Sequence, residues 1–145
     1  MSDPRRFSLE EANRTLPLVR RVIDDIVTAY GSLQARVEEY NDLAQGTTED
    51  PATAGRAAAL RDELEAGARE IDEFLRELEQ IGCQLKGFDE GLVDFHAEWR
   101  DRPILLCWKL GERRIEWWHE LDAGFAGRQP ITPAMALELS GAGAE

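Results

Sequence analysis

Two stripes of apolar residues, each alternating steps of three and four, constrain this chain more than anything else in it. The first runs Leu16, Val19, Ile23, Ile26, Tyr30, Leu33, Val37 and Tyr40. Steps averaging 3.5 residues keep one helix face turned to a partner over more than three heptads. At 1.5 Å per residue, a helix over 17–44 would be roughly 42 Å long, more than the diameter of a compact domain of this size, so part of it should project. The second stripe runs Ala57, Leu60, Leu64, Gly67, Ile71, Phe74, Leu78 and Ile81. Between them GTTEDPATAG, 46–55, is rich in turn formers and lacks periodicity. Two long amphipathic helices joined by a short polar segment predict an antiparallel hairpin, coiled-coil-like in its seam.

Local signals set the ends of these helices. In Phe7-Ser8-Leu9-Glu10-Glu11, Ser8 can accept from the Glu11 N–H while the Glu11 carboxylate reaches back to Ser8, a capping box. Pro17 lacks an N–H and clashes with the carbonyl four residues back, which predicts a short lead-in helix ending near Leu16 and then a long one. Gly82 is placed to end the second helix in the left-handed conformation. Gly67 on the seam allows close approach of the partner helix. On the outer faces, Glu65 to Arg69 and Asp72 to Arg76 have the four-residue spacing of weak ion pairs on a solvated face.

After Gly82 the period changes from 3.6 to 2. Strands are predicted over 83–86, 92–97, 104–110 and 113–119, with turns at 99–102 and at Gly111-Glu112. Register can be tested on paper, because a slip of one residue exchanges the two faces of a strand. A loop over 99–102 opposes Ala97 to Ile104, Phe95 to Leu106 and Val93 to Trp108. A two-residue loop at Gly111-Glu112 opposes Trp108 to Ile115, Leu106 to Trp117 and Ile104 to His119. That register closes Ile115, Trp117 and His119 over the hairpin and turns Trp118 outward with Leu105, Cys107, His96 and Asp94. It also sets Cys107 and His119 on opposite faces. An outward tryptophan, leucine and cysteine call for a cover from the tail, the first strand or another copy of the chain. Together with the overlong helices, this predicts a homodimer.

The fold class is therefore α+β: a long two-helix hairpin on a small antiparallel meander of three to four strands. With 145 residues and 43% hydrophobic composition, one domain is expected over 1–131. It comprises the hairpin at 8–81, the meander at 83–120 and an ordered loop at 121–131. A tail at 132–145 follows, with Thr132 capping a short helix, Ser140-Gly141 ending it and frayed final residues. The 17 Lys and Arg stand against 29 Asp and Glu, a net charge of −12, so a polyphosphate would meet repulsion and no nucleic-acid partner is expected. No apolar run approaches the roughly 20 residues that cross a bilayer, and MSDPRRFSLEE lacks the apolar stretch of a secretory signal. A cytoplasmic protein with no membrane partner is the expectation. Cys83 and Cys107 are the two cysteines, too few for a disulfide framework or a four-cysteine zinc site, and read as reduced thiols filling space in or beside the sheet.

Three stretches carry a family likeness: FSLEEANRTLPLVRRV near the start, GLVDFHAEWRDRPILLCWKLGE in the middle and IEWWHELDAGFAGRQPI near the end. Together they resemble the bacterial family designated domain of unknown function 2203, over about residues 6 to 131. The last two stretches are the specific part. The resemblance implies no established activity, cofactor or catalytic residue. His96 stands where the family usually has a proline after the Asp-Phe pair.

The chemistry-bearing residue types concentrate in EWWHELDAGFAGRQP, 116–130. A metal reading gathers His119 with Glu120 and Glu11, or with Asp122, as ligands suited to zinc, iron or manganese. No His-Glu-x-x-His motif supports it, and on a regular strand His119 and Glu120 point to opposite faces unless the strand ends between them. An acid–base reading pairs His119 with Glu120 or Asp122. Gly124, Gly127 and Arg128 could grip an anion. The structural alternatives are a sheet-end histidine bonded to an acid or carbonyl, and an ordered turn in which Phe125 plugs the core and Arg128 pairs with Asp122 or Glu112. Candidate ligand-binding residues are thus His119, Glu120, Asp122 and Arg128, and candidate metal ligands are His119, Glu120 and Glu11. Beyond a divalent metal no cofactor is evident. The favoured function is a homodimeric binding or scaffold module that holds a protein or a small anionic ligand. The alternative is a small metal-dependent or acid–base enzyme using His119 to Arg128.

Overall fold

A computed structural model describes residues 4–46 and 50–140. The hairpin forms as the stripes require, from α1 (Leu9–Gln45) and α2 (Pro51–Ile81). The capping box is present: the Glu11 N–H donates to Ser8 Oγ at 3.0 Å and the Ser8 N–H to Glu11 Oε1 at 2.9 Å. Contrary to the predicted break, α1 runs through Pro17 without interruption. Ala12, Leu16, Val19 and Ile23 lie buried on both sides of that proline, and packing along one face offsets the cost of the lost hydrogen bond, about 3 kcal/mol. α2 starts earlier than the 46–55 connection implied, with Asp50 as its cap and Pro51 in its first turn. Residues 47–49 of that connection lie outside the described ones, as do Gly141 and the final residues, for which a helix stop and fraying were expected. Gly82 closes α2 in the left-handed region with φ 108°. At Gly67 a side-chain carbon would lie 3.1 Å from Leu33 Cδ1, so the seam is as tight there as its position implied. The Asp72–Arg76 pair forms at 3.0 Å. No Glu65–Arg69 pair occurs among the described residues, whereas Arg36–Glu63 and Arg56–Glu39 tie the two helices together at 3.0 and 2.8 Å.

The sheet has five antiparallel strands in sequence order, more than the three to four expected: β1 (Gln84–Gly87), β2 (Leu92–Trp99), β3 (Arg102–Lys109), β4 (Trp117–His119) and β5 (Gln129–Pro130). The β2–β3 register is the predicted one, with Val93 opposite Trp108, Phe95 opposite Leu106 and Ala97 opposite Ile104. Its turn is Arg100-Asp101, both at positive φ (52° and 61°), the left-handed pair that matches the twist of a two-residue hairpin. The β3–β4 register is shifted by one from the prediction. Leu105 opposes His119, Leu106 opposes Trp118 and Cys107 opposes Trp117. The cause is the connection, which is not a two-residue loop. Lys109 and Glu112 close a turn, and 113–116 then run on without pairing to β3 before β4 begins. One bond fixing this path comes from α1, where Asn13 Oδ1 accepts from the Ile115 N–H at 2.8 Å.

The shift exchanges the faces of β4. Trp118 now belongs to the inner face with Val93, Phe95, Ala97, Ile104, Leu106 and Trp108, in one core with Val19, Val22, Ile23 and Ile26 of α1 and Leu78 of α2. Trp108 is fully buried and its indole N–H donates to the Glu112 carbonyl at 2.9 Å. Between β1 and β2 the chain passes directly under α1 at Gly91. Its φ of +72° and the 2.8 Å that would separate a Cβ from Ile23 Cγ2 both exclude a larger residue. A third helix, α3 (Pro133–Leu139), is capped by Thr132 as expected and adds Met135 and Leu139 to the core.

Trp117, Cys107, Leu105, Asp94 and His119 share the outer face. Asp94, Leu105, Cys107 and His119 are buried within the one chain, and the loop after β4 lies against this face through Phe125 and Arg128. The Arg128 guanidinium lies 4.5 Å from both the Trp117 and the Phe125 ring centroids. Phe125 is 44% exposed; it stacks on Arg128 rather than plugging the core. One of the two grounds for a homodimer, an uncovered sheet face, is thereby removed. Among the described residues no helix is long and apolar enough to cross a membrane.

Candidate metal centre

Polar side chains buried in a sheet need a reason, and two stand out. Asp94 and His119 are 4% and 2% exposed. Asp94 comes from the middle of β2, in the sequence Leu92-Val93-Asp94-Phe95, where strand alternation turns it away from the core of Val93 and Phe95. His119 is the last residue of β4. The strands bring them together across β3, with Cys107 between, and the donor atoms of Asp94, Cys107 and His119 lie within 4.8 Å of one another. This is the one such buried group among the described residues.

The hydrogen bonds of His119 decide its tautomer. Nδ1 lies 2.7 Å from the Glu120 backbone carbonyl, an oxygen that can only accept, so Nδ1 carries the proton. In a neutral ring the lone pair is then on Nε2, and Nε2 lies 3.1 Å from Asp94 Oδ1. Two acceptors face each other in a buried place, and a positive species, proton or metal ion, has to stand between them. Two ligands at about 2.0–2.1 Å from one ion are themselves about 2.9–3.4 Å apart, which matches the Nε2–Oδ1 separation. Nitrogen held from behind by a backbone carbonyl is also the usual second support of a metal-bound histidine.

The thiol of Cys107 has its own supports. Burial pushes its pKa up, and the Arg128 Nη1–H donated to Sγ at 3.8 Å opposes that shift. Arg128 is in turn clamped by Glu112 in a short bond to Oε2. Of the two partners the sequence offered Arg128, the fold uses Glu112 and not Asp122. Cys83 is a buried thiol pushed up to about 12 by burial, with its own backbone hydrogen bond and the Arg5 charge opposing the shift.

The other sequence candidates separate. Glu11 spends its carboxylate in the α1 cap, held below the usual carboxylate range by the Ser8 N–H first of all, and α1 packs on the opposite sheet face from His119. Glu120 contributes its backbone carbonyl to His119, whereas its carboxylate pairs with Arg102 at 3.2 Å. The ligand set of His119, Glu120 and Glu11 is therefore not assembled. Asp122 is exposed and lines a pocket of about 340 Å³ together with Lys86, Phe125 and the Asp94–Cys107–His119 group. Arg128 stands behind Cys107. His96 is half-buried on the same sheet face, and burial, then the nearby Lys86 charge, lowers its pKa, keeping it neutral.

A family model described as an uncharacterised conserved protein, DUF2203, matches residues 5–131. The chain belongs to that family. The matched region takes in the hairpin, the whole sheet and the covering loop, and stops just before α3. No curated protein and no solved structure matches the chain. The DUF2203 description carries no activity, so the function has to be read from the site.

Asp94 and Cys107 were both legible as outward residues on paired strands. The one-residue difference in the β3–β4 register is what makes His119 their neighbour, against the opposite face expected from the sequence. A carboxylate set between valine and phenylalanine in an otherwise apolar strand was the available signal.

Proposed function

We propose that this protein binds a divalent transition metal through Asp94 Oδ1, Cys107 Sγ and His119 Nε2, and that the site is catalytic in type rather than structural. The lone pair of Nε2 facing a buried carboxylate oxygen carries this reading. A mixed oxygen, sulfur and nitrogen donor set suits zinc first and ferrous iron second. Three protein ligands leave a coordination position, and the group borders the 340 Å³ pocket from which a small ligand or water would fill it. A metal there supplies Lewis-acid activation of water or of a substrate carbonyl. The chain's own part is to fix the ligands: the Glu120 carbonyl sets the His119 tautomer, and Arg128 holds Cys107 while Glu112 holds Arg128. Asp122 offers a solvated carboxylate on the same pocket for accepting a proton. The alternative is that a proton fills the gap, leaving a buried hydrogen-bonded Asp94–His119 pair that serves stability alone.

Metal analysis of untagged protein, purified after zinc and after iron supplementation and reconstituted with cobalt, separates these. Near one equivalent of metal is expected, with a thiolate-to-cobalt charge-transfer band that Cys107→Ser abolishes and Asp94→Asn or His119→Ala weakens. Metal-free protein after all three treatments would leave the proton reading.

A further inference from the structure

On the far side of Glu112 lies a second feature that the metal reading does not use. Two adjoining depressions, about 730 and 490 Å³, run between the first half of α1 and the 110–114 turn and share Pro17, Arg20 and Arg113. Arg14, Arg20, Arg21, Arg113 and Arg114 line them, in a chain whose net charge is −12. Arg14 is paired with Glu10 at 3.4 Å. Arg20, Arg21, Arg113 and Arg114 have no carboxylate partner among the described residues. Of the acids on the groove, Glu10 is taken by Arg14 and Glu112 by Arg128, and Asp24 remains.

One of these arginines is fixed in place. Arg20 Nη2 donates to the carbonyls of Arg113 at 3.1 Å and Glu112 at 3.5 Å, and its guanidinium lies 5.8 Å from the Trp108 ring centroid. Its other N–H groups stay free for a ligand. The α1 packing thus presets a fork donor at the centre of the groove, with Arg113 and Arg114 on one bank and Arg21 on the other. Four like charges converging on a concave surface destabilise the ligand-free protein modestly and gain most from a ligand that brings several negative charges at once.

We infer that this groove binds a small phosphorylated ligand of the diphosphate class, its oxygens taken by Arg20, Arg21, Arg113 and Arg114 and its organic part resting on Pro17 and Leu110. Guanidinium forks match phosphate oxygens bidentately, and each depression, at about 730 and 490 Å³, is large enough for a small ligand. A long nucleic acid is disfavoured because the acidic remainder of the surface repels it beyond the groove. The site stands independently of the metal centre.

Calorimetric titration of the full chain with inorganic pyrophosphate and with ADP, at about 50 mM salt, is the test. One-to-one binding is expected, at least tenfold tighter for pyrophosphate than for orthophosphate. An Arg113→Gln, Arg114→Gln double variant should weaken it at least tenfold with the melting temperature unchanged, both residues being exposed. Pyrophosphate binding no tighter than orthophosphate, or equal in the double variant, overturns the inference. So does a hexaglutamate peptide that outcompetes pyrophosphate, which would make the groove a docking site for an acidic protein segment.

Discussion

On the inner face of β2 and β3, Val93, Phe95, Ala97, Ile104, Leu106 and Trp108 meet α1 as an apolar and aromatic layer. One residue along each strand, the outer face carries Asp94, Leu105 and Cys107, joined by His119 from β4. Both faces are buried, yet they are buried for different reasons. The inner face is held by volume, since its atoms gain by leaving water and by close packing. The outer face is held by specific bonds, those of the Glu120 carbonyl to His119 and of Glu112 to Arg128 to Cys107. Substitutions that change volume should therefore register on one face, and substitutions that change only donor atoms on the other.

The largest effect expected is that of Trp108→Ala, a loss of about 3–5 kcal/mol of folding stability from the cavity and the lost indole bond, read as a lower urea midpoint. Gly91→Ala should follow at about 3 kcal/mol, because it adds left-handed strain to a clash with Ile23. On the outer face Cys107→Ser, which keeps nearly the same volume, should change the unfolding free energy by less than about 1 kcal/mol while abolishing the cobalt charge-transfer band. If Cys107→Ser destabilised as much as Trp108→Ala, the distinction between the faces would be broken.

Cys83 sharpens the comparison through pH. Its folded value of about 12 stands above the ordinary thiol value of about 8.5, so the fold favours the neutral form. Its contribution is fully present below about pH 8.5 and declines as pH rises toward 12. Unfolding free energies from urea titrations at pH 8 and 10 should then differ by about 1–2 kcal/mol, a difference that Cys83→Ala removes. Smallest of all, Asp72→Ala should cost no more than about 0.5 kcal/mol, since the ion pair with Arg76 is solvated on both sides.

The hairpin could be read from the sequence because a heptad stripe is a repeated signal: an error at Pro17 changed the picture of one turn of helix and nothing downstream. The β2–β3 pairing was legible for a similar reason, since three apolar pairs agreed on one register. The β4 strand had no such redundancy. It pairs with β3 at only three positions, and its register hangs on the length of the 110–116 connection, which Asn13 of the distant α1 helps to set. A period-2 pattern cannot absorb a slip of one, so the same error that misplaced Trp118 also parted His119 from Asp94 and Cys107. Glu120 shows a different limit. The sequence pairs its carboxylate with His119, whereas the contact is made by its backbone oxygen, a group every amino acid carries.

Glu112 is a party wall. Its carbonyl accepts from Arg20 on the groove side and from Trp108 in the core, while its carboxylate grips Arg128 behind the thiol of Cys107. A side-chain substitution at this residue keeps the carbonyl and removes only the carboxylate, so its direct effect falls on the Arg128 and Cys107 side of the wall. Substitution of Arg113 with Arg114 on one side, and of Cys107 or Glu112 on the other, therefore tells the tenants apart.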